Sequence, residues 1–84
     1  MKIVFRGYAH CAGTDYAFLE ELPDNTSEKE LDALAWEYAV ENAQMYGDVT
    51  EEYLENEGET HYIVLDDIGG FWEVYNPDKH DGIL

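Results

Sequence analysis

Apolar residues recur along this chain with two different periods. In residues 2–10, KIVFRGYAH, β-branched and aromatic residues dominate. Alternation places Ile3, Phe5 and Ala9 on one side and Val4, Arg6 and Tyr8 on the other, which is the pattern of a strand. Gly7 inside it marks a bulge or a close approach. CAGTD (11–15) reads as a glycine-containing turn. YAFLEEL (16–22) follows as a second strand with Tyr16, Phe18 and Leu22 on one face, and the two strands form a hairpin. PDNT then breaks the chain, and from Ser27 the period becomes helical. Leu31, Leu34, Ala35, Tyr38, Met45 and Tyr46 recur at ~100° per residue. Ser27 and Glu30 make a capping box, and Gly47 is a natural stop after about Tyr46. Trp36 and Val40 lie on the flank of this stripe, and Trp36 is expected in the core because a sheet needs a broad cover.

Beyond Gly47, Thr50 can cap a short second helix over 51–56, with Gly58 ending it. THYIVLDD (60–67) and FWEVYN (71–76) read as the third and fourth strands about an IGG turn, and Pro77 ends the last one. The predicted order is β-β-α-(α)-β-β. It implies an α+β fold: a four-stranded, mainly antiparallel sheet covered on one face by one main helix. The 84 residues leave room for one domain, 1–84, with 78–84 as a loose tail from which Ile83 and Leu84 can dock. Open strand edges would permit a homodimer.

Charge changes the picture more than composition does. The chain is 45% apolar and 14% aromatic, enough for a folded core rather than a disordered acidic tail. Twenty acids face four cations, Lys2, Arg6, Lys29 and Lys79, for a net charge of −16. A soluble small domain needs a magnitude of only about 2–8. Residues 20–59 hold fourteen of the acids against Lys29 alone. On the predicted helix Glu30, Glu37 and Glu41 form an outward stripe with Asp48 just beyond its end. The axial steps are roughly 10, 6 and 10 Å at 1.5 Å per residue. Phosphates along one DNA strand stand about 6–7 Å apart once winding lengthens their axial rise. Glu51, Glu52 and Glu55 would extend the array on the short helix, and Tyr53 and Tyr8 are the candidate exposed anchors. The competing reading of the acidity is generic solubility or a salt-adapted proteome.

Little in the sequence points to catalysis. One cysteine, Cys11, excludes an internal disulfide and suits a reducing, cytoplasmic setting. MKIVFRGYAH has no signal-peptide core, and no apolar run approaches the ~20 residues of a membrane span. The charge disfavours anionic membranes and direct nucleic-acid contact. His10, Cys11, His61 and His80 lack the paired spacing of a zinc site. Cys11, His10 and Asp15 have the residue types of a nucleophilic pair, but neighbours on a strand point to opposite faces. DDIGG (66–70) lacks the alternating acids of a calcium loop and fits a hairpin turn. No catalytic, cofactor or metal residue is therefore assigned, and no cofactor or enzymatic activity is expected.

The GTD turn between N-terminal strands, the capped helix LPDNTSEKELDALAWEYA and the extreme acidity resemble small acidic proteins of bacteriophages and mobile elements. Among these are anti-CRISPR and anti-restriction inhibitors that mimic DNA. The resemblance implies an inhibitor in the bacterial host cytoplasm whose partner is a basic nucleic-acid-binding complex, such as a CRISPR effector or a restriction enzyme. Glu30, Glu37, Glu41, Asp48, Glu51, Glu52, Glu55 and Tyr53 are the residues expected to meet it. A second expectation is a protein-interaction adaptor or assembly factor, with an exposed aromatic patch around Trp36, Trp72 or Tyr53 and binding that survives salt.

Overall fold

The alternating N-terminal residues build a hairpin, and the computed structural model describes it and the rest of the chain over residues 1–10 and 12–84. Strands β1 (Lys2–Tyr8) and β2 (Tyr16–Glu21) pair antiparallel, with Phe5 opposite Phe18. Thr14 closes the connection: its Oγ accepts from the Ala9 amide at 3.0 Å. Helix α1 (Glu28–Met45) starts where the capping residues put it, with the Glu30 amide donating to Ser27 Oγ at 3.2 Å. It ends at Gly47, whose φ of 77° is the left-handed conformation a helix stop uses.

The second half of the chain departs from expectation. Residues 51–56 do not form a helix. Strand β3 (Val49–Leu54) pairs antiparallel with β4 (Glu59–Val64) as a separate two-stranded ribbon. Val49, Thr50 and Tyr53 are strand formers, and Gly58 turns the loop with a φ of 66°. Strand β5 (Gly69–Val74) then leaves β4 and pairs antiparallel with β1. The fold is thus α+β with one main helix and five strands in two sheets, β2-β1-β5 and β3-β4, in place of one four-stranded sheet. Residues 78–84, read from sequence as loose, begin within helical turn α2 (Pro77–His80), which buries His80.

One face of the three-stranded sheet carries Ile3, Phe5 and Gly7 with their cross-strand partners, and α1 lies on it. Ile3, Phe5, Leu31 and Ala35 form the main core, joined by Phe18, Leu34, Tyr38 and Trp72. A second cluster, Ala9, Val40, Ala43 and Val49, fastens the base of the ribbon to α1. The buried side of α1 is Leu31, Ala35, Ala39, Val40 and Ala43, mostly alanine. The helix therefore approaches β5 closely: a Cβ on Gly70 would stand 2.7 Å from the Ala35 carbonyl oxygen and 2.7 Å from Ala39 Cβ. This narrow contact leaves out residues assigned to the buried stripe. Met45 is 75% exposed, Tyr46 is also exposed, and Trp36, expected in the core, is 50% exposed.

Two tyrosines lie across glycines on neighbouring strands. Tyr16 covers its partner Gly7 on the helix side, and Tyr8 covers Gly69 on the other face. Gly7 is a close approach and not a bulge, since the register runs through it without a break. An aromatic ring in the space a side chain would occupy restores the packing that glycine forgoes. The Tyr16 hydroxyl is shut off from solvent without a hydrogen-bond partner among the described residues, and burial raises the phenol above its ordinary pKa.

The radius of gyration is 14.5 Å, against about 12 Å for a globule of this length. The excess reflects the ribbon, which projects from the body in a molecule of 47 × 33 × 14 Å. An isolated two-stranded hairpin is marginal in water, so contacts at its base, led by Val49 against α1, hold it to the body.

Two substitutions test this packing. Gly70→Ala should cost about 1–3 kcal/mol in denaturant unfolding, because the added methyl meets backbone that cannot rotate away. Tyr16→Phe should instead raise stability by about 1 kcal/mol, because it removes a buried hydroxyl with no partner among the described residues.

Candidate functional site

The outer side of α1 presents Glu28, Glu30, Asp32, Glu37 and Glu41 to solvent. Of the predicted array, Glu30, Glu37 and Glu41 keep their helical spacing. Asp48 does not belong to it. Asp48 is 5% exposed, and its Oδ2 accepts from the His10 amide at 3.1 Å while its carbonyl accepts from the Leu65 amide at 2.7 Å. It ties the β1–β2 connection to the ribbon. Its position after the helix stop resembled one more exposed acid, and only the folded chain brings the distant His10 amide to its carboxylate.

Because β3 is a strand, its acids alternate between faces. Glu51 stands opposite Tyr62, and Tyr53 opposite Thr60, on the face that carries Val49. Glu52 stands opposite His61 on the other face, and Glu55 lies in the turn. The eight predicted residues therefore do not share one surface. Glu37 and Glu41 do share a cleft, and Gln44 on its edge holds Glu51. Gln44 Nε2 donates to Glu51 Oε1 at 3.1 Å, and a cleft of about 170 Å³ between α1 and β4 is lined by Trp36, Glu37, Val40, Glu41, Gln44 and Tyr62. Tyr53, 63% exposed, continues that face towards the ribbon tip. Tyr8 is exposed on the opposite side of the molecule, so the two candidate anchors serve different surfaces. Trp72 is held inward, its Nε1 donating to Asp32 Oδ1 at 2.7 Å.

Three of the four Lys and Arg residues lie on the far side of the three-stranded sheet or beside it, around Glu73. Arg6 Nη1 is 3.3 Å from Glu73 Oε1, and its guanidinium lies 5.5 Å from the Phe71 ring centroid. Lys79 pairs with Glu73 Oε2, and Lys2 lies 5.9 Å from the centroid of Tyr75. His80 completes the group. Its Nδ1 accepts from the Asn76 amide at 2.9 Å, so Nε2 carries the proton and donates to Glu73 Oε2 at 3.0 Å. The hydrogen bonds from Lys79 and His80 hold the Glu73 carboxyl down at about 2. On the helix face, the hydrogen bond to Glu20 pushes Tyr38 up to about 12. Neither Glu73 nor His80 carries a motif in the sequence that would have marked this contact.

The three histidines are separate. His10 lies 3.8 Å from Asp66, His61 is on the ribbon, and His80 is buried against Glu73. At the ribbon tip one donor atom each of Glu57, Glu59 and His61 lies within 4.8 Å of the others, a mixed carboxylate–imidazole set of the kind that takes a divalent ion. His61 Nε2 is 2.7 Å from Glu57 Oε2, so when protonated it forms an ion pair there. The pairing of Cys11 with His10 and Asp15, and the zinc set that included Cys11, lie outside the described residues. Among the described residues, no helix is long and apolar enough to cross a membrane.

Glu73 gives a pH test. Its carboxyl is held below the ordinary value of 4.5, so its stabilising effect is present above that value and is lost as pH falls from there to about 2. Glu73→Gln should cost about 1–3 kcal/mol at neutral pH, and the gap from the parent chain should close over that acid window in urea unfolding. No family model, curated protein or solved structure matches this chain.

Proposed function

We propose that this protein is a non-enzymatic binding module that docks on a cationic protein surface, and more narrowly an inhibitor that occupies the nucleic-acid groove of a host defence complex. The observation that carries the reading is the partition of charge. The exposed side of α1 and the ribbon hold ten of the twenty acids with Lys29 as their sole Lys or Arg, while Lys2, Arg6 and Lys79 lie around Glu73 and Tyr75. Solubility alone calls for interspersed signs. A one-signed face speeds encounter with an oppositely charged partner and competes for lysine- and arginine-lined grooves. The strand geometry of Glu51 and Glu52 removes a continuous phosphate-like row on two helices. The mimicry is then of charge density over a face and not of a strict phosphate register.

The ribbon favours a second reading, an adaptor held by apolar contacts. Tyr53, Tyr62, Ile63, Val64 and Leu65 are all exposed on it or at its end, more apolar surface than an electrostatic lure requires.

Salt separates the two readings. The tagged chain is used to capture partners from a bacterial lysate containing defence complexes, at low and high salt. A nucleic-acid-binding complex released by salt or by competing DNA is expected. The fourfold reversal of Glu30, Glu37, Glu41 and Glu51 to Lys should abolish its capture, while single Glu→Gln changes have little effect. Capture that survives the fourfold reversal would sink the charge reading, and a partner retained at high salt would favour the adaptor.

A further inference from the structure

The cleft between α1 and β4 has a composition that the proposed role of the acidic face does not by itself require. Two aromatic side chains, Trp36 and Tyr62, each 50% exposed, line it, with Val40 nearly buried beside them. Two carboxylates, Glu37 and Glu41, line it from α1, and Gln44 brings Glu51 to its mouth. Glu37 and Glu41 stand four residues apart on one helix side, an arrangement that repels rather than stabilises. The chain's own cations are elsewhere: Arg6 and Lys79 are engaged with Glu73, Lys2 lies by Tyr75, and Lys29 sits eight residues before Glu37, about 12 Å along the axis.

The geometry points to an arginine-binding cleft: Trp36 and Tyr62 stack on the guanidinium of one arginine of the partner, and Glu37 and Glu41 accept its N–H donors. This deepens the reading of a cationic partner and rests on it for the identity of the bound molecule. Size sets the class of occupant. At about 170 Å³ the cleft is smaller than the roughly 300–1,000 Å³ of pockets for drug-sized ligands, so it suits one side chain. Charge sets the sign: an anion is repelled, and an apolar group would desolvate two carboxylates without replacing their hydrogen bonds. Shape decides between the two cations. A planar guanidinium stacks on aromatic faces while its fork meets carboxylates, whereas an ammonium is a compact, strongly hydrated point charge.

The full chain is titrated, followed by NMR, with N-acetyl-arginine amide and with its lysine and citrulline counterparts at equal concentrations. The Trp36 indole and Tyr62 ring signals should move with the arginine compound, several-fold less with lysine and not with citrulline. Tyr8, on the opposite side of the molecule, is the internal reference. Trp36→Ala, at an exposed position that should not disturb folding, and Glu37→Gln with Glu41→Gln should each abolish the response. A citrulline response equal to that of arginine would make the cleft a neutral slot and overturn the inference. A lysine response as large as that of arginine would overturn the guanidinium assignment. Failure of the partner reading is a separate result: arginine moves Trp36, yet no basic partner is captured from the lysate. Conversely, salt-sensitive capture that Trp36→Ala leaves unchanged, where a loss of about tenfold is expected of an anchor, would overturn the cleft while the partner reading stands.

Discussion

The contact of Ala35 and Ala39 with Gly70 sets the height of the helix above the sheet, and much of the remaining architecture follows from that height. With a glycine below and alanines above, α1 lies too close to β5 for a larger residue to intervene. Its buried side is a narrow line of small residues, and bulky side chains on its flank have no room beneath it. Trp36 is turned outward beside the ribbon. The largest fully buried apolar side chains, Phe5 and Ile3, come from the sheet, and Phe5 packs edge-on against Tyr38 of α1 at 5.0 Å between ring centroids, as Phe18 does at 4.9 Å.

Self-repulsion is a real cost for a chain with this charge, and the fold does not reduce it by mixing signs. Glu73 gathers Arg6, Lys79 and His80 on or beside the far side of the sheet. That network fastens α2, and with it the end of the chain, to the body. It also places Arg6 and Lys79 away from the acids of α1 and the ribbon. The near-absence of internal neutralisation on the acidic side is thus tied to a structural use of the few positive charges elsewhere.

Much of the first half of the fold is legible in the sequence because its signals are local. Ser27 and Glu30 mark the start of α1, Gly47 its stop, and alternation fixes β1 and β2 within a residue or two. The second half fails where the signals conflict. Residues 51–57 are rich in glutamate, a helix former, behind a threonine able to cap, and these masked the strand preference of Val49, Thr50 and Tyr53. What settles the matter is non-local: β4 supplies a partner strand, and Val49 finds Val40 and Ala43. The acidic stripe of α1 could be read from spacing. Asp48 as a buried staple, Glu73 as a cation hub and the Trp36–Tyr62 cleft could not, because each joins residues far apart in the chain.

Field and cleft act at different distances, and an acidic face benefits from having both. Beyond about 8–10 Å at physiological salt, exposed charges are screened, so the field governs encounter and orientation more than residence. Most differences in affinity among related complexes lie in the dissociation rate, which depends on contacts that exclude water. A face of glutamates alone has few such contacts, because carboxylates held near the surface keep their hydration. A pair of aromatic side chains beside those carboxylates supplies a place where a cation can lose water and still be satisfied. The outward Trp36, out of place when α1 is viewed only as a core helix, then has a physical reason to be where the alanine contact puts it.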